Sequence, residues 1–330
     1  MNQAYIIDAL SDLGSLMATL DANDAVIQQN SYKNQWFTVE NQLYALKNWS
    51  KQLTTTQLSE FASIYQFKSE PKIVGIIMAG NVPLVGLHDL VCVLLSGNIA
   101  QIKLSKDDEI LPRFLIQHLV TNFPLLKDRL IIVDKLADYQ AAIATGSNNS
   151  SRYFEYYFRG VPHIIRKNRT SVAILDKDAS EKERYELAED IFRYYGLGCR
   201  NVGKIYLPEG YPLPDLLDHW NHWFFLSDQN KYFNNYTYHK ALLLMNLEPH
   251  FDNGFLTLKE SESIFSPLGC LFYEFYNDPT HLDPILMNHK DDIQCIMGRG
   301  DNRIPFGKAQ LTQLNDFADG IDTMKFLESI

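Results

Sequence analysis

Between Pro71 and Asp176 short apolar runs alternate with stretches of helical periodicity, and this alternation restricts the fold more than any other feature. KIVGIIMAG, NIAQIKLS, RLIIVD and SVAILD read as buried strands, the last following PHIIRKNRT. HDLVCVLLSG, EILPRFLIQHLV and ADYQAAIATG read as the intervening helices. Strands and helices alternating at this interval build βαβ units, which assemble into a doubly wound parallel sheet. The first 70 residues read as helices: Thr38 is placed to cap TVENQLYALKNWSKQL, and Thr54 with Gln57 has capping-box spacing ahead of QLSEFASIY. After Asp176 the alternation continues as helix KERYELAEDIFRYYG, strand GKIYLP, an aromatic-rich stretch, and strands GCLFYEFY and DIQCIMG. The expected organisation is an N-terminal helical segment (1–70), an α/β nucleotide-binding domain (71–175), a second α/β domain carrying the chemistry (176–303), and a C-terminal segment (304–330) packing back on the core.

A chain of 330 residues with 46% hydrophobic and 21% charged residues has room for about two domains and a full core. The net charge of −10 disfavours a nucleic-acid surface, which needs clustered Lys and Arg. Cys92, Cys199, Cys270 and Cys295 show no CxxC or finger-like spacing, so no metal is expected. MNQAYIIDALSDL lacks a basic n-region and is not read as a signal peptide. VGIIMAGNVPLVGLHDLVCVLL is interrupted by Asn81, Pro83, His88 and Asp89, so no membrane insertion is expected and a cytoplasmic protein is the reading.

Two look-alike motifs fail. Gly198 to Lys204 satisfies G-x-x-x-x-G-K, but Ile205 stands where a P-loop needs Ser or Thr, and a strand follows where a helix should begin. No third glycine follows Gly196 and Gly198 at the dinucleotide-fingerprint spacing. His219 and His222 share a helix face without a third ligand, which suits surface histidines better than zinc.

Cys199, in FRYYGLGCRNVGKIYLP, is the residue that demands an explanation. Most thiols of this kind are small core hydrophobes, and that reading suits Cys92, Cys270 and Cys295, each embedded in an apolar run. A nucleophile needs exposure, and flanking glycines let backbone N–H groups approach the carbon under attack; Arg200, if turned inward, would favour the thiolate.

Several segments together resemble the aldehyde dehydrogenase superfamily, in matching order along the chain. These are Asn81-Val82-Pro83, Lys103-Leu104-Ser105 after a helix, ATGS at 144–147, GLGC at 196–199 and IPFG at 304–307. Within that superfamily, QWFTVEN, GNVPLVGLHD, PHIIRKNRTSVAIL, GLGCRNVGKIYLP and FADGIDTMKFL look most like the acyl-CoA reductases of the LuxC type. The resemblance implies an α/β, aldehyde dehydrogenase-like fold, with a doubly wound nucleotide-binding lobe and a second α/β catalytic lobe.

It also implies roles. Cys199 would be the nucleophile, and the Asn81 amide, with the Cys199 N–H, would hold the oxyanion. Lys103 and Ser105 would face the adenosine ribose. Lys106 stands where NAD-preferring relatives carry Glu, and there it would attract a 2′-phosphate, so NADPH is the expected cofactor. Gly146 and Ser147 would receive the pyrophosphate, although a C-cap glycine after ADYQAAIAT is the competing reading of Gly146. His163 stands where hydrolytic relatives carry the water-activating Glu, either shuttling a proton or serving structure alone. Glu262, of ESIFSP, is displaced by one residue from the family's nicotinamide-ribose contact; Phe306 of IPFG completes the cofactor set.

The function so implied is reduction of acyl-CoA, or another acyl thioester, to an aldehyde with NADPH through a cysteine acyl-enzyme. The partners would be a second copy of the chain or an acyltransferase or synthetase that supplies the acyl group. A non-catalytic nucleotide binder, and a cysteine acyltransferase or thioesterase using Cys199 with His163, are the alternatives.

Overall fold

Helices α1 (Gln3–Thr19), α2 (Ala25–Lys33), α3 (Val39–Gln52) and α4 (Thr55–Ser63) precede the first strand in the computed structural model, which describes residues 1–146 and 148–330. The start of α3 follows from its cap: the Thr38 hydroxyl accepts the Asn41 N–H at 3.2 Å. Thr54 does the same for Gln57 at the head of α4.

The alternating region then gives β1 (Ile73–Ile77), α5 (Leu87–Leu95), β2 (Ile99–Lys103), α6 (Ile110–Asn122), β3 (Leu130–Ile132), β4 (Ala141–Thr145), α7 (Asn148–Phe158) and β5 (His163–Arg166). β1 to β5 form a parallel sheet of order β3-β2-β1-β4-β5. The order reverses between β1 and β4, as at the switch point of a doubly wound sheet. One face, including Val74, Ile76, Ala141 and Ile143, is buried with the apolar sides of α1, α4, α5 and α6. The other, including Ala142 and Ala144, packs with Phe154 and Phe158 of α7.

Ala141–Thr145 corrects one expectation, because AAIAT is a central strand and not the end of a helix. It is buried on both faces between β1 and β5, where small side chains fit. Burial there overrides the helical preference of alanine. Gly146 therefore leaves a strand end and is not a helix C-cap.

The remaining elements are β6 (Thr170–Ile174), α8 (Glu181–Phe192), β7 (Val202–Pro208), α9 (Leu213–Asp218), α10 (Asn230–Met245), β8 (Phe251–Asp252), β9 (Thr257–Glu260), β10 (Cys270–Tyr276), α11 (Leu282–Asn288), β11 (Ile293–Met297) and α12 (Thr323–Ser329). Their sheet has the order β11-β6-β7-β10-β9-β8, parallel except for the β8–β9 pair. The chain divides into two units, Met1–Asn168 with Thr312–Ile330, and Arg169–Leu311. SVAILD, expected with the first sheet, is β6 of the second. Among the described residues no helix is long and apolar enough to cross a membrane.

Candidate functional site

In the first unit the C-terminal edge of the parallel sheet gathers most of the expected cofactor residues. β1 ends at Ile77, in register with Lys103 of β2 and Ala144 of β4. Asn81, Ser105, Lys106 and Gly146 follow those three strand ends, so the topology brings them to one edge. Asn81, Lys103 and Lys106 are exposed there. A Cβ on Gly80 would come within 2.8 Å of Ser105 Cβ, so only glycine lets the two loops meet.

The loop after Asn81 is held from beneath. Leu84 is buried in a left-handed conformation (φ 60°), and its N–H donates to Asp108 Oδ2 at 2.8 Å. A branched side chain in that region costs on the order of 1–3 kcal/mol, so the surroundings over-determine the turn. Asp108 lies in a mostly apolar cavity with Leu13, Met78 and Leu119. Burial pushes its carboxyl up to about 7, against the opposing pull of the Leu84 N–H.

Two expectations at this edge change. The Gly146 N–H donates to the Arg166 carbonyl at 3.3 Å, and so is committed to β5. A Cβ on Gly146 would meet Phe154 at 2.9 Å, so glycine is required by the return of α7 over it. Ser147 lies outside the described residues. His163 opens β5 beside Ala142, whereas the ligand edge is reached at Thr145 and Arg166. At about 3.3 Å per residue it stands roughly 10 Å back, toward the opposite edge. It is exposed, and its Nδ1 donates to the Val161 carbonyl at 2.9 Å. Its place in PHIIRKNRT carried no information about which end of the strand it occupies.

In the second unit Cys199 sits on the turn between α8 and β7. The chain leaves α8 through three successive left-handed residues, Tyr194 (φ 56°), Tyr195 (φ 58°) and Gly196 (φ 76°). Both tyrosines are buried, and the Tyr195 ring packs 5.9 Å from that of Tyr232. Two non-glycine residues in this region are unfavourable, and such strain persists only where packing and hydrogen bonds fix it.

Asn201 supplies those bonds. Its Nδ2 donates to the carbonyls of Asp190 (3.1 Å), Ile191 (3.3 Å) and Arg193 (2.8 Å), and its Oδ1 accepts the Gly198 N–H at 2.8 Å. Ser171 of β6 donates its hydroxyl to the Cys199 carbonyl at 3.0 Å. Cys199 is half-buried, whereas Cys92 and Cys270 are buried and burial pushes both thiols up.

Arg200 is engaged elsewhere, its Nε donating to the Ala309 carbonyl. The Ala309 N–H in turn donates to Asp190 at 2.9 Å, and the Gly307 N–H donates to the same carboxylate at 2.7 Å. Burial raises Asp190 to about 7 against the pull of these two donors. The Pro305-Phe306-Gly307 turn is thus fixed to α8, with Phe306 itself buried. Lys204 is fully buried between the Glu274 carboxylate and the Glu262 carbonyl (3.0 Å), which anchors the β9–β10 loop and leaves the Glu262 side chain exposed. Ser171, Asp190 and Asn201 were not singled out in the sequence, and Lys204 entered only as the lysine of the rejected P-loop spacing. Only Asn201 carried a signal, as a turn-forming residue two places after the cysteine.

Comparison with solved structures returns aldehyde dehydrogenases. An aldehyde dehydrogenase from Bacillus cereus, solved as an NAD+ complex, matches with TM-score 0.67 at 10% identity, over 91% of this chain and 73% of that one. Aldehyde dehydrogenase 21 from Physcomitrella patens, in complex with the reaction product succinate, gives 0.69 at 10% identity, over 92% and 74%. Mycobacterium tuberculosis aldehyde dehydrogenase complexed with NAD+ gives 0.63 at 14% identity, over 86% and 70%. The protein therefore has the aldehyde dehydrogenase fold. The family model for acyl-CoA reductase (LuxC) matches residues 41–212, more than half of the 330, and the chain belongs to that family. A search of curated proteins gives no match.

Proposed function

We propose that the protein reduces an acyl-CoA to the corresponding aldehyde with NADPH, through an acyl-enzyme on Cys199. The observation that carries this reading is a half-buried thiol on a braced turn at the head of β7, in a chain of an acyl-CoA reductase family. The first unit would bind the nucleotide and the second would carry the nucleophile.

The Cys199 thiolate attacks the thioester carbonyl, the carbon–sulfur bond to CoA breaks, and CoA leaves as its thiolate. The Cys199 N–H would hold the oxyanion as the tetrahedral centre forms, and the family resemblance assigns a second donor to the Asn81 amide. The switch-point edge suits a dinucleotide: it lies at the C-terminal ends of parallel strands, and Lys103 and Lys106 offer cations for phosphate. When bound, the reduced cofactor supplies the two electrons and the hydrogen that take the acyl group to the aldehyde level. Breaking the bond to Cys199 releases the aldehyde and returns the thiolate. His163 is given no part in these steps.

The test is a series of acyl-CoAs of increasing chain length with NADPH or NADH, with aldehyde trapped by a hydrazine. CoA release, cofactor oxidation and aldehyde should appear in equal amounts. CoA release without cofactor oxidation would mean a thioesterase or transferase, and no turnover of either would mean a nucleotide-binding relative.

A further inference from the structure

The reading above leaves a second thiol beside the Cys199 turn without a role. Cys295 lies in β11 where the register with β6 shifts between Ile293 and Ile296. An irregularity of this kind re-aims a side chain out of the strand's alternation. Cys295 Sγ lies 3.0 Å from Ser171 Oγ, and the Cys295 N–H donates to that oxygen at 3.2 Å. The Ser171 proton goes to the Cys199 carbonyl, also at 3.0 Å, so the hydroxyl receives from Cys295 and donates to Cys199. Cys295 Sγ is therefore no farther from the Cys199 carbonyl oxygen than twice that distance. Both thiols are half-buried, and the other two cysteines are buried away from solvent.

We infer that Cys295 is a resolving thiol for Cys199, and that the pair closes to a reversible disulfide when the nucleophile is oxidised. This rests on Cys199 being the reactive thiolate of the proposed reaction. The Cys199 thiolate attacks a hydroperoxide, the O–O bond breaks, and Cys199 becomes a sulfenic acid while hydroxide or alkoxide leaves. Cys295 then attacks the sulfenic sulfur, the S–O bond breaks, the S–S bond forms, and water leaves with the Cys295 proton. The two thiols supply the two electrons that reduce the peroxide. A disulfide needs Cβ atoms about 4 Å apart. Ser171 tethers both chains, its hydroxyl on the Cys199 carbonyl and the Cys295 N–H on that hydroxyl, and closing the bond means releasing these contacts at the Cys199 turn. Closure removes the nucleophile from turnover and prevents its irreversible oxidation, and a dithiol restores it.

The experiment treats wild type and Cys295→Ala with a small excess of hydrogen peroxide, at least about two equivalents per chain so that an unresolved sulfenic acid can go on to sulfinic acid, alkylates the remaining thiols, and maps non-reduced peptides by mass. Wild type should give a Cys199–Cys295 cross-linked peptide, and dithiothreitol should return most of the lost activity. In Cys295→Ala the loss should persist after dithiothreitol, with Cys199 found as sulfinic acid. Direct sulfinic acid formation at Cys199 in wild type without the cross-link, or equal recovery in both proteins, would overturn the pair. The wild-type map stands without the variant should the variant misfold. Unoxidised wild type is also incubated with acyl-CoA. Acyl label on Cys199 but no cross-link overturns the pair alone, whereas the cross-link without acyl label supports the pair and overturns the nucleophile reading.

Discussion

The carboxamide oxygen of Asn201 accepts the N–H of Gly198 at 2.8 Å, across the Cys199 that lies between them in sequence. Through its other end Asn201 binds three carbonyls at the close of α8, so one buried side chain ties the helix, the left-handed residues and the cysteine turn together. Asn201→Ala should destabilise the protein by about 2–4 kcal/mol, since it leaves several buried groups unpaired. It should also lower kcat for aldehyde formation by at least about ten-fold, because a small displacement of a nucleophile is costly. Denaturant unfolding and steady-state kinetics check both. Unchanged kcat would show that the turn holds Cys199 without Asn201.

Stability should fall as pH rises from about 4 to 7. Asp108 and Asp190 both have carboxyls raised to about 7 from an ordinary value near 4, chiefly by burial. In that window the folded protein keeps protons that the unfolded chain has released, so each group lowers unfolding free energy with rising pH, by up to about 1.4 kcal/mol per pH unit. Above pH 7 their contribution levels off. Asp190→Asn and Asp108→Asn, which cannot titrate, should each flatten the slope measured by urea unfolding at pH 5, 6, 7 and 8. A slope identical to wild type in both would show that neither carboxyl is raised.

Cofactor choice should depend on Lys106, exposed just past the end of β2. A 2′-phosphate beside it gains a charge-assisted contact that solvent weakens, worth roughly a ten-fold preference for NADPH. Lys106→Glu should reverse the preference, by repelling the phosphate and accepting from a ribose hydroxyl. The check is kcat/KM for both cofactors at fixed ionic strength. Equal ratios in the two proteins would make Lys106 a surface lysine.

Asn81→Ala should lower kcat by about a hundred- to a thousand-fold with little change in cofactor affinity, since the amide is used chiefly in the transition state. Weakened cofactor binding with kcat intact would move Asn81 to the nucleotide site.

Much of this architecture was legible in the alternation of apolar runs, because parallel strands buried on both faces leave a continuous signature. AAIAT was not, because alanine's local preference is helical and only burial beside β1 makes a strand of it. The cysteine turn was legible from Gly196, Gly198 and Cys199, whose composition suits nothing in a core. Its supports were not. Ser171, Asp190 and Lys204 look like ordinary strand and helix residues, and their importance lies in partners far along the chain, such as Asp190 with Gly307. The sequence leaves His163 open between two roles for the same reason, since a position in sequence does not say which end of a strand meets the ligand.

The most direct test is to incubate the protein with a labelled acyl-CoA in the absence of reduced nicotinamide, and to locate the label by peptide mass spectrometry. The account predicts one acyl group per chain on the peptide holding Cys199, discharged as aldehyde when NADPH is added, and no label in Cys199→Ser. Label on Cys92, Cys270 or Cys295, or an acyl group on Cys199 that NADPH leaves untouched, would contradict it.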